Sequence, residues 1–384
     1  MEAKKYIYIE QVTRQLSIDI LKEFAKHGNP VVVLTGSIEK QHTGLHNAVK
    51  VKKFNRYNNS TFSGRIISGL WFHLRCFLFV LLHGKNCELI LVSTPPFLPF
   101  LGLFFFRLRK QKYHLLIWDL YPDVLIRMNK IKSSSLLHKI WSNRNRELFK
   151  YSSSLITLGN NMARSLAAYT DKKPVIIPPW ADTSYVKQTT PEQNAFIGTH
   201  RLGNKFIVMY AGNLGITHPV EVILKAANQL KQDAGFMFVI MGEGEKKNLL
   251  HTLKAEAELS NVLLLPYQSP EMFPQALAAA QVSVITLSNS AADVSVPSKT
   301  FTAMAAGTAL LVIGHGDSDL GEIIQQYHCG EIFPENDVES IVNFLTKLAA
   351  NRELLEQYRK QSLKAAAGFS PANATQYYKV ISTH

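Results

Sequence analysis

The chain has 384 residues, room for two or more cores at ~150 residues each. Hydrophobic residues make up 46% and charged residues 18%, and the three cysteines, Cys76, Cys87 and Cys329, keep neither metal-ligand nor disulfide spacing; a disordered, collagen-like, coiled-coil or disulfide-stapled chain is excluded, and a reducing compartment is favoured. Charge is uneven: residues 1–200 carry 28 Lys and Arg against 12 Asp and Glu, and residues 201–384 carry 14 against 17, so an anionic partner, nucleic acid or the inner face of a membrane, is expected of the first half alone.

Met1 to Tyr8 has lysines but no apolar run of signal-peptide length, so no export signal is expected. Short apolar runs rich in β-branched residues predict strands at Tyr6 to Ile9, Val31 to Thr35, Leu89 to Ser93, His114 to Trp118, Leu155 to Leu158 and Val175 to Ile177, with helical segments between them. Within this half, Leu70 to Leu82 is interrupted by His73 and Arg75, and Phe97 to Phe106 contains Pro99 and Gly102. Both fall short of the ~18 uninterrupted apolar residues of a membrane span. Phe104, Phe105 and Phe106, followed by Arg107, Arg109, Lys110 and Lys112, suit the interface of an anionic bilayer, or equally a buried helix ending in a solvated basic turn. Residues 181–203, polar and aperiodic around Thr189 to Asn194, predict a linker. A second series of strands follows at Phe206 to Ala211, Met237 to Met241, Val262 to Leu265, Ser283 to Thr286 and Leu310 to Ile313. Their continuous apolarity marks parallel strands covered on both faces. From Val338 onward the pattern is helical, with Pro371 breaking it before a last helix at Ala372 to Ile381.

Chemistry concentrates at strand ends in the second half. Gly212 and Gly215 lie between a strand and a helix start, where backbone N–H groups favour an anion such as a diphosphate, although a plain turn has the same composition. The full GxGxxG fingerprint is missing, so NAD is not supported. Gly242-Glu243-Gly244 and Tyr267-Gln268 close the next two strands and suit a nucleotide base. Ser298 stands where a helix N-cap would, with Lys299 in the first turn; a lysine is unfavourable there, so either an anionic ligand or simple solvation accounts for it.

The ordered set Tyr210-x-Gly212-Asn213-Leu214-Gly215, Gly242-x-Gly244, Val296-Pro297-Ser298-Lys299 and Ala305-Ala306-Gly307 resembles the GT4 family of GT-B glycosyltransferases, particularly its WbuB-like bacterial branch. Ser93-Thr94-Pro95-Pro96-Phe97-Leu98, Asp119-Leu120-Tyr121-Pro122-Asp123 and Ile176 to Asp182 fall in the same family's order, so the resemblance covers nearly the whole chain. It implies an α/β GT-B fold of two doubly wound Rossmann-like domains facing a cleft: an acceptor-side domain over 1–185, a donor domain over 203–370, and a helix at about 372–384 packing back on the first. It implies retaining transfer of a sugar from a nucleotide-diphosphate donor, a co-substrate, with no cofactor and no metal. Gly212, Asn213, Leu214 and Gly215 would face the donor phosphates. Pro297, Ser298 and Lys299 would hold the diphosphate, with His218 near a phosphate and Tyr267, Gln268 and Glu243 bordering the base. Asp119 and Asp123 would be the catalytic groups. Where many relatives flank the lysine helix with two glutamates, Asp293 stands roughly at the first place and Thr302 at the second, which binds the ribose. Ile216, Thr217 and His218 replace the usual Arg and Lys, and Glu10 to Gln15 lacks the usual glycines.

The expected partners are a nucleotide sugar, a glycan or lipid-linked acceptor and an anionic membrane surface; nucleic acid is not expected, for want of a binding motif. The expected place is the cytoplasm, peripheral to the inner face of the cell membrane. A nucleotide-sugar 2-epimerase on the same fold and a non-catalytic nucleotide-sugar-binding scaffold are the rival readings.

Overall fold

The computed structural model describes residues 3–38, 48–58, 62–182, 185, 190–288 and 297–383. They form two compact units, Met1–Pro178 with Pro371–His384, and Pro179–Ser370.

The first unit is built on an all-parallel sheet in the order Val49–Lys53, Val31–Thr35, Lys5–Ile9, Cys87–Val92, Tyr113–Ile117, Ser154–Thr157, Val175–Ile176. Every residue of Tyr113–Ile117 is buried, as expected of a strand with helices on both faces, and its one polar side chain, His114, is held between Ser154 Oγ and Glu88 Oε2. The edge strand Val49–Lys53, which the apolar pattern does not announce, buries Val49 and leaves three lysines exposed. Charged side chains are how an open sheet edge avoids pairing with another chain. The last helix, Ala374–Ser382, returns to this unit. There Tyr378 stacks on His27 with centroids 3.9 Å apart, meets Phe24 edge-on and donates to Asn29 Oδ1.

The second unit is a six-stranded parallel sheet in the order Val262–Leu265, Phe236–Met241, Phe206–Ala211, Val282–Thr286, Ala309–Ile313, Gly330–Phe333. Along Phe206–Ala211, Val208 and Tyr210 join one core cluster and Ile207 and Met209 the other. Strict alternation between two cores is the mark of a sheet covered on both faces. The order of connection reverses between Phe206–Ala211 and Val282–Thr286, the kind of crevice where open α/β sheets bind ligands outside the carboxyl ends of their strands.

Two expectations change. Residues 181–203, expected as a linker, contain a helix at Ala195–His200: Asn194 Oδ1 caps it by accepting from Phe196 N and Ile197 N, and Phe196 and Ile197 enter the second unit's core. The apolar stretch Leu70 to Leu82, expected to fall short of a span, is the C-terminal part of a longer helix, Phe62–His83, whose residues Ile66–His83 are long and apolar enough to cross a membrane by length and composition, because His73 and Arg75 do not break the helix.

Candidate functional site

In the second unit, the loops after Phe206–Ala211 and Phe236–Met241 are laced together by backbone bonds from Gly212 N to Met241 O, Leu214 N to Glu243 O and Lys246 N to Leu214 O, each 2.9 Å. This closeness requires glycine. A Cβ on Gly242 would lie 1.9 Å from Gly212 O, and one on Gly244 2.6 Å from Leu214 O. Leu214 anchors the loop by burying its side chain in the core. Asn213 O accepts a 2.7 Å bond from the Tyr210 hydroxyl.

Lys299 reaches this loop from the first turn of the helix Lys299–Ala305. Its Nζ donates to Tyr210 Oη at 2.9 Å and stands 4.2 Å from the centroid of the same ring, a cation–π arrangement. A Cβ on Gly212 would sit 3.4 Å from Lys299 Cδ, so the glycine leaves the room the lysine fills. Burial pulls the amine down to about 7, and no carboxylate among the described residues pairs with it. With only neutral groups beside it among the described residues and a place against the helix dipole, the protonated amine is left without a balancing charge there.

His218 is the third member, its Nδ1 lying 3.4 Å from Lys299 Nζ. The same Nδ1 is 2.7 Å from Thr286 O; only a ring N–H bridges nitrogen to a carbonyl, which assigns the proton to Nδ1 and the lone pair to Nε2. Burial, helped by the Lys299 charge, lowers this imidazole to about 4. It is neutral at pH 7, and contact with a phosphate through Nε2 requires proton uptake. Behind it, Lys246 Nζ donates to His218 O and pairs with Glu221 at 2.8 Å. Lys246 and Thr286 are site residues that sequence reasoning passed over, and Tyr210 was read only as part of the glycine-loop motif; the position of Lys246 just after the second glycine pair is the one signal that pointed to it.

The remaining donor-side candidates spread along the same sheet edge. Tyr267 is 54% exposed, while Gln268 Nε2 turns back to Pro266 O. Glu243 is paired with Lys247 at 2.9 Å. Pro297 is buried, Thr302 is half-buried one turn beyond Lys299, and Gly215 follows Leu214 in the loop. Ser298 occupies the N-cap position but caps nothing: its backbone is already helical and its side chain makes no capping bond, which corrects that expectation. Asp293 lies outside the described residues.

In the first unit, Asp119 follows the strand Tyr113–Ile117, and Ser93 Oγ accepts 3.0 Å bonds from the backbone N–H of Trp118 and Asp119. Burial pushes its carboxyl up to about 6. It lines a recess together with Phe97, Tyr121 and Trp141. Phe97 stacks on Trp141 at 4.1 Å, and the Tyr121 ring lies nearly parallel to Trp141 at 6.3 Å. Trp141 was not read from the sequence because it stands on a separate helix, Leu136–Tyr151. Asp123 is engaged elsewhere, accepting a 2.5 Å bond from Tyr169. The glycine-free segment after the first strand is stitched down instead: Ser17 Oγ donates to Glu10 at 2.6 Å, and Gln11 Nε2 to Ser68 O at 3.1 Å.

Residues 192–365 match the model of the family described as "Glycosyl transferases group 1", a range that holds both glycine loops and Lys299. Residues 192–365 are thus similar to the group 1 glycosyl transferases, and the chain has a GT-B fold. The GT-B chain is 25% identical over 273 residues to a probable glycosyltransferase, WbjE, of Pseudomonas aeruginosa, covering 70% of this chain and 66% of that one. It is 28% identical over 124 residues to a putative colanic acid biosynthesis glycosyl transferase, WcaI, of Escherichia coli K12, covering 32% and 30%. The matched stretch therefore spans less than two thirds of either curated relative. Among solved structures, Anabaena HepE in complex with UDP and glucose superposes with a TM-score of 0.76 at 14% identity, over 99% of this chain and 100% of that one.

Proposed function

We propose that this protein is a retaining, metal-independent glycosyltransferase of the GT4, WbuB-like type, moving a hexosyl or N-acetylhexosaminyl group from a nucleotide diphosphate to a lipid-linked glycan during cell-surface polysaccharide synthesis. Its place is the cytoplasmic face of the membrane. One observation carries the reading: Lys299, a half-buried amine that no carboxylate among the described residues pairs with, is held against a glycine loop at the sheet's reversal point.

The chemistry follows from where charge appears. As the bond from C1 to the diphosphate breaks, negative charge grows on the departing oxygen, and Lys299 with the N–H groups of the glycine loop stabilises it without a metal. The new bond forms between C1 and the acceptor hydroxyl oxygen. The hydroxyl proton passes to the departing phosphate on the same face of the sugar. Asp119, when ionised, orients the acceptor hydroxyl by accepting its hydrogen bond, and the aromatic rings beside it offer flat apolar surfaces for a sugar ring. Asp123, tied to Tyr169, keeps the Asp119 turn in place. Tyr267 stacks on the base, and Thr302 takes the ribose hydroxyls.

Isothermal titration with a panel of nucleoside diphosphates, UDP first because fold relatives bind it, tests the reading. Loss of a charge-assisted bond of about 1.5–3 kcal/mol predicts ~tenfold to hundredfold weaker binding for Lys299→Ala. Binding of none of the panel, or a Lys299→Ala variant that binds like wild type, overturns the assignment. Conversion of the sugar without an acceptor would mark an epimerase, and binding without turnover a scaffold.

A further inference from the structure

The helix Phe62–His83 has 22 residues and no Asp or Glu, and its stretch Ile66–His83 has a mean hydropathy of 1.7. At ~100° per residue, its apolar side chains divide into two opposite faces. Phe72, Cys76 and Val80 are fully buried and belong to the first unit's core. On the far side, Ile67, Leu70, Trp71, Leu74, Leu78 and Leu82 are between 45% and 73% exposed. A helix covering a water-soluble sheet carries polar residues on that side, and a contiguous exposed apolar patch of this kind marks an interaction surface. The patch continues onto the helix Phe100–Arg109: Phe77 lies 5.1 Å from Phe104, and Phe104 and Leu108, one turn apart, are both exposed.

We propose that this face is a monotopic membrane anchor, with the helix lying along one leaflet and its outer side chains in the acyl region. Charge chooses the occupant. The helix contributes no negative charge, exposed Arg75 lies on it and Lys110 follows the helix Phe100–Arg109, while Arg107 is paired with Glu147, within a half of the chain that carries 28 Lys and Arg against 12 Asp and Glu. Anionic head groups above an acyl layer complement both parts of it.

The helix does not cross the bilayer in this state. Its inner face is part of the core, and Ser68 O accepts a bond from Gln11 Nε2; spanning would strip Phe72, Cys76 and Val80 from the sheet. The inference deepens the membrane part of the proposed function and is independent of its donor chemistry.

The consequence is binding that salt weakens without abolishing. At ~1 M NaCl the Debye length is about 3 Å, so purely electrostatic adhesion is released; an inserted apolar face is not. The full chain is floated with phosphatidylcholine–phosphatidylglycerol vesicles, and it is expected to stay with them in high salt. Leu70→Glu with Leu74→Glu is expected to lower that salt-resistant partition by ~tenfold or more. The nucleoside diphosphate affinity of the double variant is expected to stay at the wild-type value, so loss of anchoring and failure of the donor reading give different results. Because both leucines are exposed, the substitutions leave the core intact. A measurement on the native sequence stands beside them: Trp71 fluorescence should be quenched by lipids brominated on their acyl chains, and the quenching lost in Trp71→Phe. Complete release by salt, or a Trp71 that acyl bromines do not quench, overturns the proposal. So does a lipid-free dimer that the double variant converts to monomer, which would make a second copy the occupant.

Discussion

The amine of Lys299 has a pH signature that a lysine in solvent lacks. Burial brings it to about 7 in the free protein; a diphosphate beside it favours the charged form and returns it toward its ordinary range. Between those two values the free chain holds the amine neutral and the complex holds it protonated, so binding takes up a proton. Affinity then falls as pH rises above 7, by up to ~tenfold per unit while uptake is near one proton. Titrations at pH 8.5 in buffers of different ionisation enthalpy should show that uptake, and Lys299→Met should abolish it together with most of the affinity. If uptake persists in Lys299→Met, the proton belongs to another group, and His218, lowered to about 4 with its lone pair on Nε2, is where it would have to go. The lysine itself stood out in the sequence from the mismatch between its charge and its place in a helix. That it meets Tyr210 and His218 was not legible: they lie 89 and 81 positions away, and only the folded loops bring them to its amine.

Strands were legible where helices cover both faces, since such segments read as unbroken apolar runs; Val31–Thr35, Phe206–Ala211 and Val262–Leu265 begin and end where the pattern places them. Edges were not. Val49–Lys53 alternates valine with lysine, and Gly330–Phe333 mixes a glycine and a glutamate into four residues, patterns that loops share. The glycine loops fall between: their composition was visible, but the reason for it is the contact of one loop with the other. That contact predicts a sharp difference between glycines of the same unit. Gly242→Ala places a Cβ 1.9 Å from Gly212 O, where only backbone can yield, whereas a Cβ on exposed Gly316 meets nothing within 4 Å. Overpacking of this kind costs about 3 kcal/mol, which lowers the unfolding temperature of a unit this size by ~6–12 °C. Gly316→Ala should stay within about 2 °C of wild type. Differential scanning calorimetry checks both, and equal behaviour of the two variants would show that the loops part without cost.

At the scale of the molecule, the chain leaves its first unit at Pro178 and comes back to it at Pro371, so the last helix is a tertiary component of a domain that begins nearly four hundred residues earlier. Tyr377 on that helix is fully buried and reaches Ile177 O with its hydroxyl, while Lys4 Nζ donates to Ser382 O. Removing a large buried aromatic costs about 3–5 kcal/mol, and the loss belongs to the unit in which the ring is buried. Tryptophan fluorescence can tell the units apart, because Trp71, Trp118 and Trp141 lie in the first and Trp180 in the second. Tyr377→Ala is therefore expected to move the fluorescence transition in urea to lower concentration while the transition of the second unit, followed by the nucleotide binding proposed for it, stays in place. If both transitions move together by the same amount, the two units unfold as one cooperative body, and the closing helix stabilises the whole chain rather than the domain it completes.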